Sequence, residues 1–496
     1  MQLYSLLKSA NIPIPSQMEN RPVLSQSISR VTDKSFEIVP ASLFIAIKGL
    51  KNDGHHYLAE AKTRGACMAI VERQVDVDLP QIVVSDSKKA LATLSSAFFG
   101  HPAKKLKLIG VTGTNGKTTT THIIHHILNP TIPTGLVGSQ NIKIGANDFD
   151  YSSFTTPEAP KLHYYFQKMR EAHVSWVALE VSSHGISQKR TSGLQFEIAA
   201  ITNISPDHLD FHNSLENYIE TKAAIFSQVK PDGFAFFNGD DKFALELLHQ
   251  VKHPNKFTIG QSPNCDFILT YKDQNSILIT GRNSLFPNKI ELSNLLIWGK
   301  HNLYNAALAS LIALYSGISK DNVIERVKTF SGVRRRLETI FKQEFTIIDD
   351  YAHNPGGITS TIQTIAKLKP KRLLIVFSIR GNRGVAINRE NSKALVNNLS
   401  KKAFPILLWL TSSDDVVTPK DKVNVQEKEA VLSILKNSGI TTAFEPTLHR
   451  ALEAAIAEAK PGDLILLLGA QTMDPAQRIL GTLLKTKSQS EVVFSN

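Results

Sequence analysis

The chain has 496 residues, of which 42% are hydrophobic and 20% charged, and a formal net charge of +12. The length suggests about three domains, and the composition is globular, which excludes a disordered or fibrous chain. No apolar run approaches the ~18 residues a membrane span needs. The N-terminal stretch has no long apolar region and no small-residue cleavage site, so no secretory signal is read. Cys67 and Cys265 lie far apart without metal-ligand spacing and read as isolated buried thiols of a cytoplasmic protein. Lys and Arg are scattered without an aromatic-basic stripe, so nucleic acid is not an expected partner.

Residues 1–103 read as a small α/β unit. Strands are expected at 42–47 and 81–85, with a glycine-rich connection at 49–57 leading into a helix at 59–66. The proline-bearing GHPAKKLK (100–107) marks the first boundary. In 104–330, the apolar runs at 106–111, 176–181, 196–204 and 233–238 read as buried parallel strands. Short alternating runs within 256–298 (FILTY, SILIT, KIEL, LLIWG) predict a small antiparallel sheet, and 301–317 predicts a helix. In 331–496, strands at 345–349, 372–379, 405–411 and 463–469 alternate with helices near 356–367, 388–401, 425–436 and 447–459. That alternation is a second, Rossmann-like doubly wound unit.

The strongest local signal is an apolar strand running into GTNGKTT (113–119) and then a helix. Backbone N–H groups of such a loop cradle phosphate oxygens. Lys117 is placed to reach the β- and γ-phosphates, and Thr118 to ligand Mg²⁺. The strict loop pattern needs glycine at 111, where Val111 stands, so this is a variant hinged on Gly113 and Gly116. Two later strand ends carry Glu180 and His184, then Asn203, Asp207, His208 and Asp210. Each alone reads equally as a cap or a satisfied loop histidine. In this order behind a phosphate loop, they read as groups that hold Mg²⁺ against a transferring phosphoryl group. Lys222 taken alone reads as a solvated helix lysine.

GTNGKTTT, TTPEAPKL (155–162), EVSSHGISQKR (180–190), TNISPDHLDFH (202–212), YIETKAAIF (218–226), GKHNLYNAALA (299–309), GVRRRLE (332–338) and DDYAHNPGG (349–357) follow one another along the chain. This series resembles the Mur ligase family, the ATP-dependent amide synthetases of peptidoglycan precursors. TTP, EVSSH and DYAHNP point to its MurE-type branch, which adds the third amino acid to UDP-N-acetylmuramoyl-L-alanyl-D-glutamate. The resemblance implies an α/β protein of three domains. A UDP-binding unit spans 1–103, and a central ATP-binding unit spans 104–330, with a mostly parallel sheet and a small antiparallel one. A Rossmann-like acceptor unit spans 331–496.

The resemblance also assigns roles. Gly113, Thr114, Asn115, Gly116, Lys117, Thr118 and Thr119 would hold the ATP phosphates. His301, Asn302 and Asn305 would meet the adenine, and Arg336 and Asp350 would contact ATP from the hinge and the last domain. Thr118, Glu180, His208 and a carbamylated Lys222 would serve Mg²⁺. Ser35, Thr155, Thr156, Ser183, Gln188 and Arg190 would grip the UDP-muramoyl-dipeptide. The implied chemistry is attack of a carboxylate on the γ-phosphate, then of an amine on the resulting acyl phosphate, with Mg²⁺ and Lys117 stabilising the charge. His353 is a candidate acceptor of the amine's proton, with a structural hydrogen bond as the competing reading. Domain closure and a monomer are expected.

Three stretches depart from the family pattern. Lys34 and Phe36 flank Ser35 where a DSR-like triplet is usual. LTSSDDVVTP (410–419) replaces the DNPR motif, so Asp414 and Asp415 stand without an arginine, which favours L-lysine or another basic amino acid over meso-diaminopimelate. GAQTMD (469–474) and SIRGNRGVAINRE (378–390) replace two acceptor motifs, leaving Arg383 as the retained carboxylate contact. The competing readings are a Mur-like ligase acting on another acid and a nucleotide-binding regulator without catalysis. Retention of Lys117, Glu180, His208 and Lys222 argues against the latter.

Overall fold

In a computed structural model, the described residues are all but 50–51, 152–153, 283–285, 401, 403 and 494–496. Lys51 of the KNDGHHYL segment and the side chains of Asp210 and of 486–493 also lie outside the described residues. The first 100 residues build a four-stranded parallel sheet from β1 (Arg30–Thr32), β2 (Ser42–Ile45), β3 (Ala66–Val71) and β4 (Gln81–Val83), in that order. Only β2 and β4 were expected. β1 is too short to show alternation, and β3, ACMAIV, is buried along most of its length and has no period to read. Helix Ser87–Phe98 starts where Asp86 accepts the Lys89 N–H at 2.8 Å, and packs Leu91 and Leu94 against this sheet.

The central strands are β5 (Lys107–Thr112), β6 (Thr134–Val137), β7 (Ile142–Ile144), β8 (Asn147–Asp150), β9 (Trp176–Glu180), β10 (Phe196–Ile201), β11 (Val229–Asn238), β12 (Lys256–Gly260), β13 (Phe267–Tyr271), β14 (Ile277–Gly281) and β15 (Lys289–Leu292). They form one sheet ordered β15-β14-β13-β12-β11-β10-β5-β9-β6-β7-β8. The antiparallel part, β13–β15, continues the main sheet because β12 pairs parallel with both β11 and β13. LLIWG forms no strand. Helix Lys300–Tyr315 is apolar on nearly every side and buried on nearly every side, packed against helix Lys117–Leu128. This contact sets Asn305 against Gly116.

The last sheet contains β16 (Glu338–Lys342), β17 (Thr346–Asp350), β18 (Leu373–Ser378), β19 (Ile406–Thr411), β20 (Thr441–Glu445) and β21 (Leu464–Leu468), ordered β16-β17-β21-β18-β19-β20. Only the edge strand β16 is antiparallel. Side chains of β18 divide with a period of two. Leu373, Ile375 and Phe377 face helices Pro355–Ala366, Val385–Leu399 and Val425–Lys436, whereas Leu374 and Val376 face Leu448–Glu458. The carboxyl ends of β17 and β18, where ligands of such sheets gather, carry Asp350 and Arg380. Among the described residues no helix is long and apolar enough to cross a membrane.

Candidate active site

β5 ends at Thr112, and the chain then turns on Gly113 (φ +137°) and Gly116 (φ +89°). A Cβ on Gly113 would collide with the Thr202 hydroxyl, and one on Gly116 would lie 2.7 Å from Asn305 Oδ1. Only glycine fits both the dihedral and the space. The loop is tied to the end of β10. Thr114 N–H donates to the Asn203 carbonyl (2.8 Å), Asn115 N–H to Asn203 Oδ1 (3.0 Å), and the Thr202 hydroxyl to the Asn115 carbonyl (2.5 Å). The Thr114 hydroxyl also meets the Tyr218 hydroxyl at 3.1 Å, a contact the sequence did not suggest.

Glu180, at the end of β9, is fully buried. Its carboxylate accepts the Thr118 hydroxyl (2.9 Å), the Ser139 N–H (2.8 Å) and the Ser139 hydroxyl (3.2 Å). A carboxylate beside a threonine hydroxyl is the hard oxygen donor set that Mg²⁺ takes, with phosphates and water completing the shell. Among the described residues no group of three or more His, Cys, Asp or Glu is clustered as a metal cage. His208 adopts φ +53°, and its ring lies edge-on to His184 at 4.6 Å. Burial lowers the His208 pKa, leaving a neutral imidazole.

Lys222 is 1% exposed, contrary to its reading as a solvated helix lysine. Helix Leu215–Ala223 turns it inward, so that Nζ donates to the Gly113 carbonyl (2.9 Å) over the Tyr218 ring. Burial, and then the Lys117 charge, push its pKa well down. Lys117 Nζ shares that carbonyl (2.8 Å) and also donates to Thr114 O (3.0 Å).

A cleft of about 410 Å³ opens between the central and last units. Asn115, Gly116, Thr118, Thr119, His301, Asn302, Asn305, Arg336 and Asp350 all line it. Gly113, Thr114 and Lys117 are not in this lining. Arg336 reaches from the hinge toward Thr118 Oγ1 (3.5 Å). Asp350 accepts Leu337 N–H (2.8 Å), Ala352 N–H (3.0 Å) and the Thr361 hydroxyl (2.9 Å), which orders the hinge. Asn354 joins the two units. It exchanges side-chain hydrogen bonds with Asn115 (3.2 Å each) and donates to Asp207 (3.1 Å). Neither Asn354 nor Ser139 was singled out. The first sits inside DYAHNP, so its motif offered a signal; the second has none.

The expected substrate residues fall in two places. Thr156 donates to the Glu180 carbonyl (2.9 Å) and accepts the Ser182 N–H (2.9 Å), Arg190 donates to the Thr156 carbonyl (2.7 Å), and the Thr155 hydroxyl accepts from Ser139 (3.1 Å). Ser183 is buried beside them at the start of helix Ser183–Ser187. Ser35, Gln188 and Arg190 line a separate cavity of about 490 Å³ with Lys34 and Phe36. Lys34 pairs with Glu158, tying the first unit to the TTPE segment, while Phe36 is 70% exposed.

The expected acceptor residues lie on the last unit. Asp415 accepts the N–H groups of Leu448 (2.8 Å) and His449 (3.1 Å) at a helix start. Its partners lie some thirty residues on, beyond the reach of motif reading. Asp414 is exposed. Arg383 is half-exposed and faces Asp421 at 3.3 Å. His353 Nδ1 donates to the Tyr351 carbonyl (2.7 Å), and burial pushes its pKa down to about 3, unsuited to a base at neutral pH.

This arrangement of phosphate loop, buried carboxylate and overhanging second doubly wound unit is that of a nucleotide-dependent enzyme. The Mur ligase middle domain matches residues 111–313, and the Mur ligase, glutamate ligase domain matches 335–471. The chain is 32% identical over 453 residues to the UDP-N-acetylmuramoyl-L-alanyl-D-glutamate–2,6-diaminopimelate ligase of Bacillus velezensis, covering 89% of each. It is 34% identical over 443 residues to the enzyme of that name from Aquifex aeolicus, covering 89% of this chain and 88% of that one. Among solved structures, MurF of Acinetobacter baumannii has a TM-score of 0.68 at 21% identity, over 98% of each chain. MurF of Thermotoga maritima in complex with ADP has 0.62 at 20%, over 92% of this chain and 98% of that one. The chain belongs to the Mur ligase family and is an ATP-dependent ligase that forms C–N bonds.

Proposed function

We propose that this protein joins an amino acid to a carboxylate of UDP-N-acetylmuramoyl-L-alanyl-D-glutamate, as its curated relatives' names describe for diaminopimelate, and that it works as a cytoplasmic monomer in peptidoglycan precursor synthesis. The units are 1–103 for the UDP moiety, 104–330 for ATP and 331–496 for the acceptor. The observation that carries the reading is the hydrogen bond from Thr118, which lines the cleft together with Arg336, to the buried Glu180 carboxylate behind it.

The loop N–H groups and Lys117 bind the ATP phosphates, His301, Asn302 and Asn305 face the adenine, and Arg336 and Asp350 close from the other side. Thr118, Glu180 and His208 would hold Mg²⁺, which supplies positive charge against the transferring phosphoryl group. Burial holds the Lys222 pKa well below the usual amine range, which favours addition of its amine to carbon dioxide with loss of a proton, and the carbamate so formed would supply a carboxylate for a second Mg²⁺. Thr155, Thr156, Ser183, Gln188, Arg190 and Ser35 position the UDP-muramoyl-dipeptide. Its carboxylate oxygen attacks the γ-phosphorus and ADP leaves. The neutral amine then attacks the acyl carbon, and phosphate leaves with one carboxylate oxygen and takes up the proton the amine loses.

L-lysine, or another basic amino acid, is the favoured acceptor. Valines follow Asp414 and Asp415 where the DNPR motif has the arginine that grips a distal carboxylate, and Asp414 stays open to solvent. Meso-diaminopimelate, named in the relatives, is the second reading. The test is a panel of amino acids offered with ATP, Mg²⁺ and the UDP-muramoyl-dipeptide, with phosphate release measured and Lys117→Ala as the silent control. Highest turnover with a basic amino acid supports the proposal. Highest turnover with meso-diaminopimelate overturns the acceptor choice, and substrate-dependent ADP release by Lys117→Ala overturns the loop assignment.

A further inference from the structure

Two arginines follow β18, and they differ in how they are held. Arg383 turns to Asp421 at the edge of its unit. Arg380 is clamped through its backbone by the buried Asn388, whose side chain accepts its N–H (3.3 Å) and donates to its carbonyl (2.8 Å). From there its side chain, 12% exposed, runs toward the central unit. Nη1 stops 3.6 Å from Asp207 Oδ1, close enough for an ion pair but too far for a hydrogen bond. That nitrogen is buried and has no hydrogen-bond partner among the described residues. Buried donors are rarely left so, because the desolvation is uncompensated.

Arg380 is not part of the nucleotide cleft's lining, whose arginine is Arg336. The groups that feel its charge are Asp207, His208, Tyr351 and His353, where the central and last units meet. A guanidinium with a carboxylate 3.6 Å away presents adjacent positive and negative charge. An α-amino acid presents the complementary pair on one carbon. We propose that Arg380 binds the α-carboxylate of the incoming amino acid, with Asp207 alongside its ammonium group. Arginine suits this because its planar fork matches a carboxylate. The proposal deepens the ligase reading and rests on it. It transfers to Arg380 the role the sequence pattern gave to Arg383.

The experiment compares the full-length wild type with Arg380→Gln and Arg383→Gln, in ATP, Mg²⁺ and UDP-muramoyl-dipeptide. Hydroxylamine, an amine without a carboxylate, traps the acyl phosphate as hydroxamate and reports the first half-reaction. L-lysine and L-lysinamide report recognition of the carboxylate. Arg380→Gln is expected to keep hydroxamate formation within about twofold while KM for L-lysine rises about 30-fold, as loss of a charge-assisted hydrogen bond implies. The wild-type preference for acid over amide in kcat/KM should collapse toward unity in Arg380→Gln and persist in Arg383→Gln. A preserved preference in Arg380→Gln overturns the proposal, and so does loss of hydroxamate formation, which would place Arg380 on the phosphoryl group. Absence of hydroxamate from the wild type overturns the ligase reading instead. If another amino acid leads the panel, that acid and its amide form the pair, and the same ratios decide.

Discussion

Gly138, the residue after β6, is where a single methyl group should silence the site. A Cβ there would lie 2.9 Å from Glu180 Cδ and 3.1 Å from Cγ, and would overlap Oε1 outright. Gly138→Ala therefore forces the Glu180 carboxylate back by roughly 1 Å, a displacement that typically costs about 10²-fold in rate, or ~2.7 kcal/mol of transition-state stabilisation. The retreat breaks the Ser139 N–H bond (2.8 Å) and the Thr118 hydroxyl bond (2.9 Å) together. Steady-state ADP release should show kcat reduced about 100-fold and half-saturation at higher Mg²⁺. KM for ATP should move little, because His301 and Asn305 are untouched. Circular dichroism and urea unfolding would establish that the variant is folded. A folded Gly138→Ala protein with wild-type kcat and wild-type Mg²⁺ dependence would refute the placement of Glu180 beside the metal.

Two further predictions concern stability. Arg335 is 2% exposed, pairs with Asp349 (3.2 Å) and Asp474, and donates to the carbonyls of Ala470 (2.8 Å) and Gly469 (2.6 Å). Arg335→Met strands a buried Asp349 and should lower stability by about 3–5 kcal/mol in urea unfolding; a loss under about 1 kcal/mol would contradict the cage. His163 is 1% exposed, neither ring nitrogen has a hydrogen-bond partner among the described residues, and burial pushes its pKa down to about 3. Below about pH 6.5 the unfolded chain takes up a proton that the folded one refuses, so stability is lost as pH falls from 6.5 toward 3, at ~1.4 kcal/mol per pH unit for this group. His163→Phe, which can keep the edge-on contact with Phe166, should gain about 1–2 kcal/mol at pH 7.5 and flatten the acid slope. An unchanged slope between pH 7.5 and 5 would remove His163 from the account.

The last unit was the most legible part of the chain. Runs such as LLIVFS and LILLL are apolar on both faces, as buried parallel strands must be, and each is separated by a helix-length segment. The first unit was half legible because RVT and ACMAIV carry no alternation. LLIWG was misread since apolar content in a short run does not distinguish a strand from a packed loop. At the site, GTNGKTT announced itself because the glycines are forced by geometry. Lys222 did not, because its burial depends on helix Leu215–Ala223 turning it toward the Gly113 carbonyl, a tertiary fact. Asp415 was read as a free charge for the same reason: its backbone partners come from a distant helix. Arg380 stood in plain sight at a strand end, yet only its unmet donor distinguishes it from Arg383.

The path of one oxygen atom tests the central claim most directly. UDP-muramoyl-dipeptide labelled with ¹⁸O at both oxygens of its reacting carboxylate would be turned over with ATP and the amino acid that leads the panel, and the released phosphate read by ³¹P NMR. Activation as an acyl phosphate predicts one ¹⁸O in each phosphate formed. Unlabelled phosphate, alongside normal product, would contradict the account.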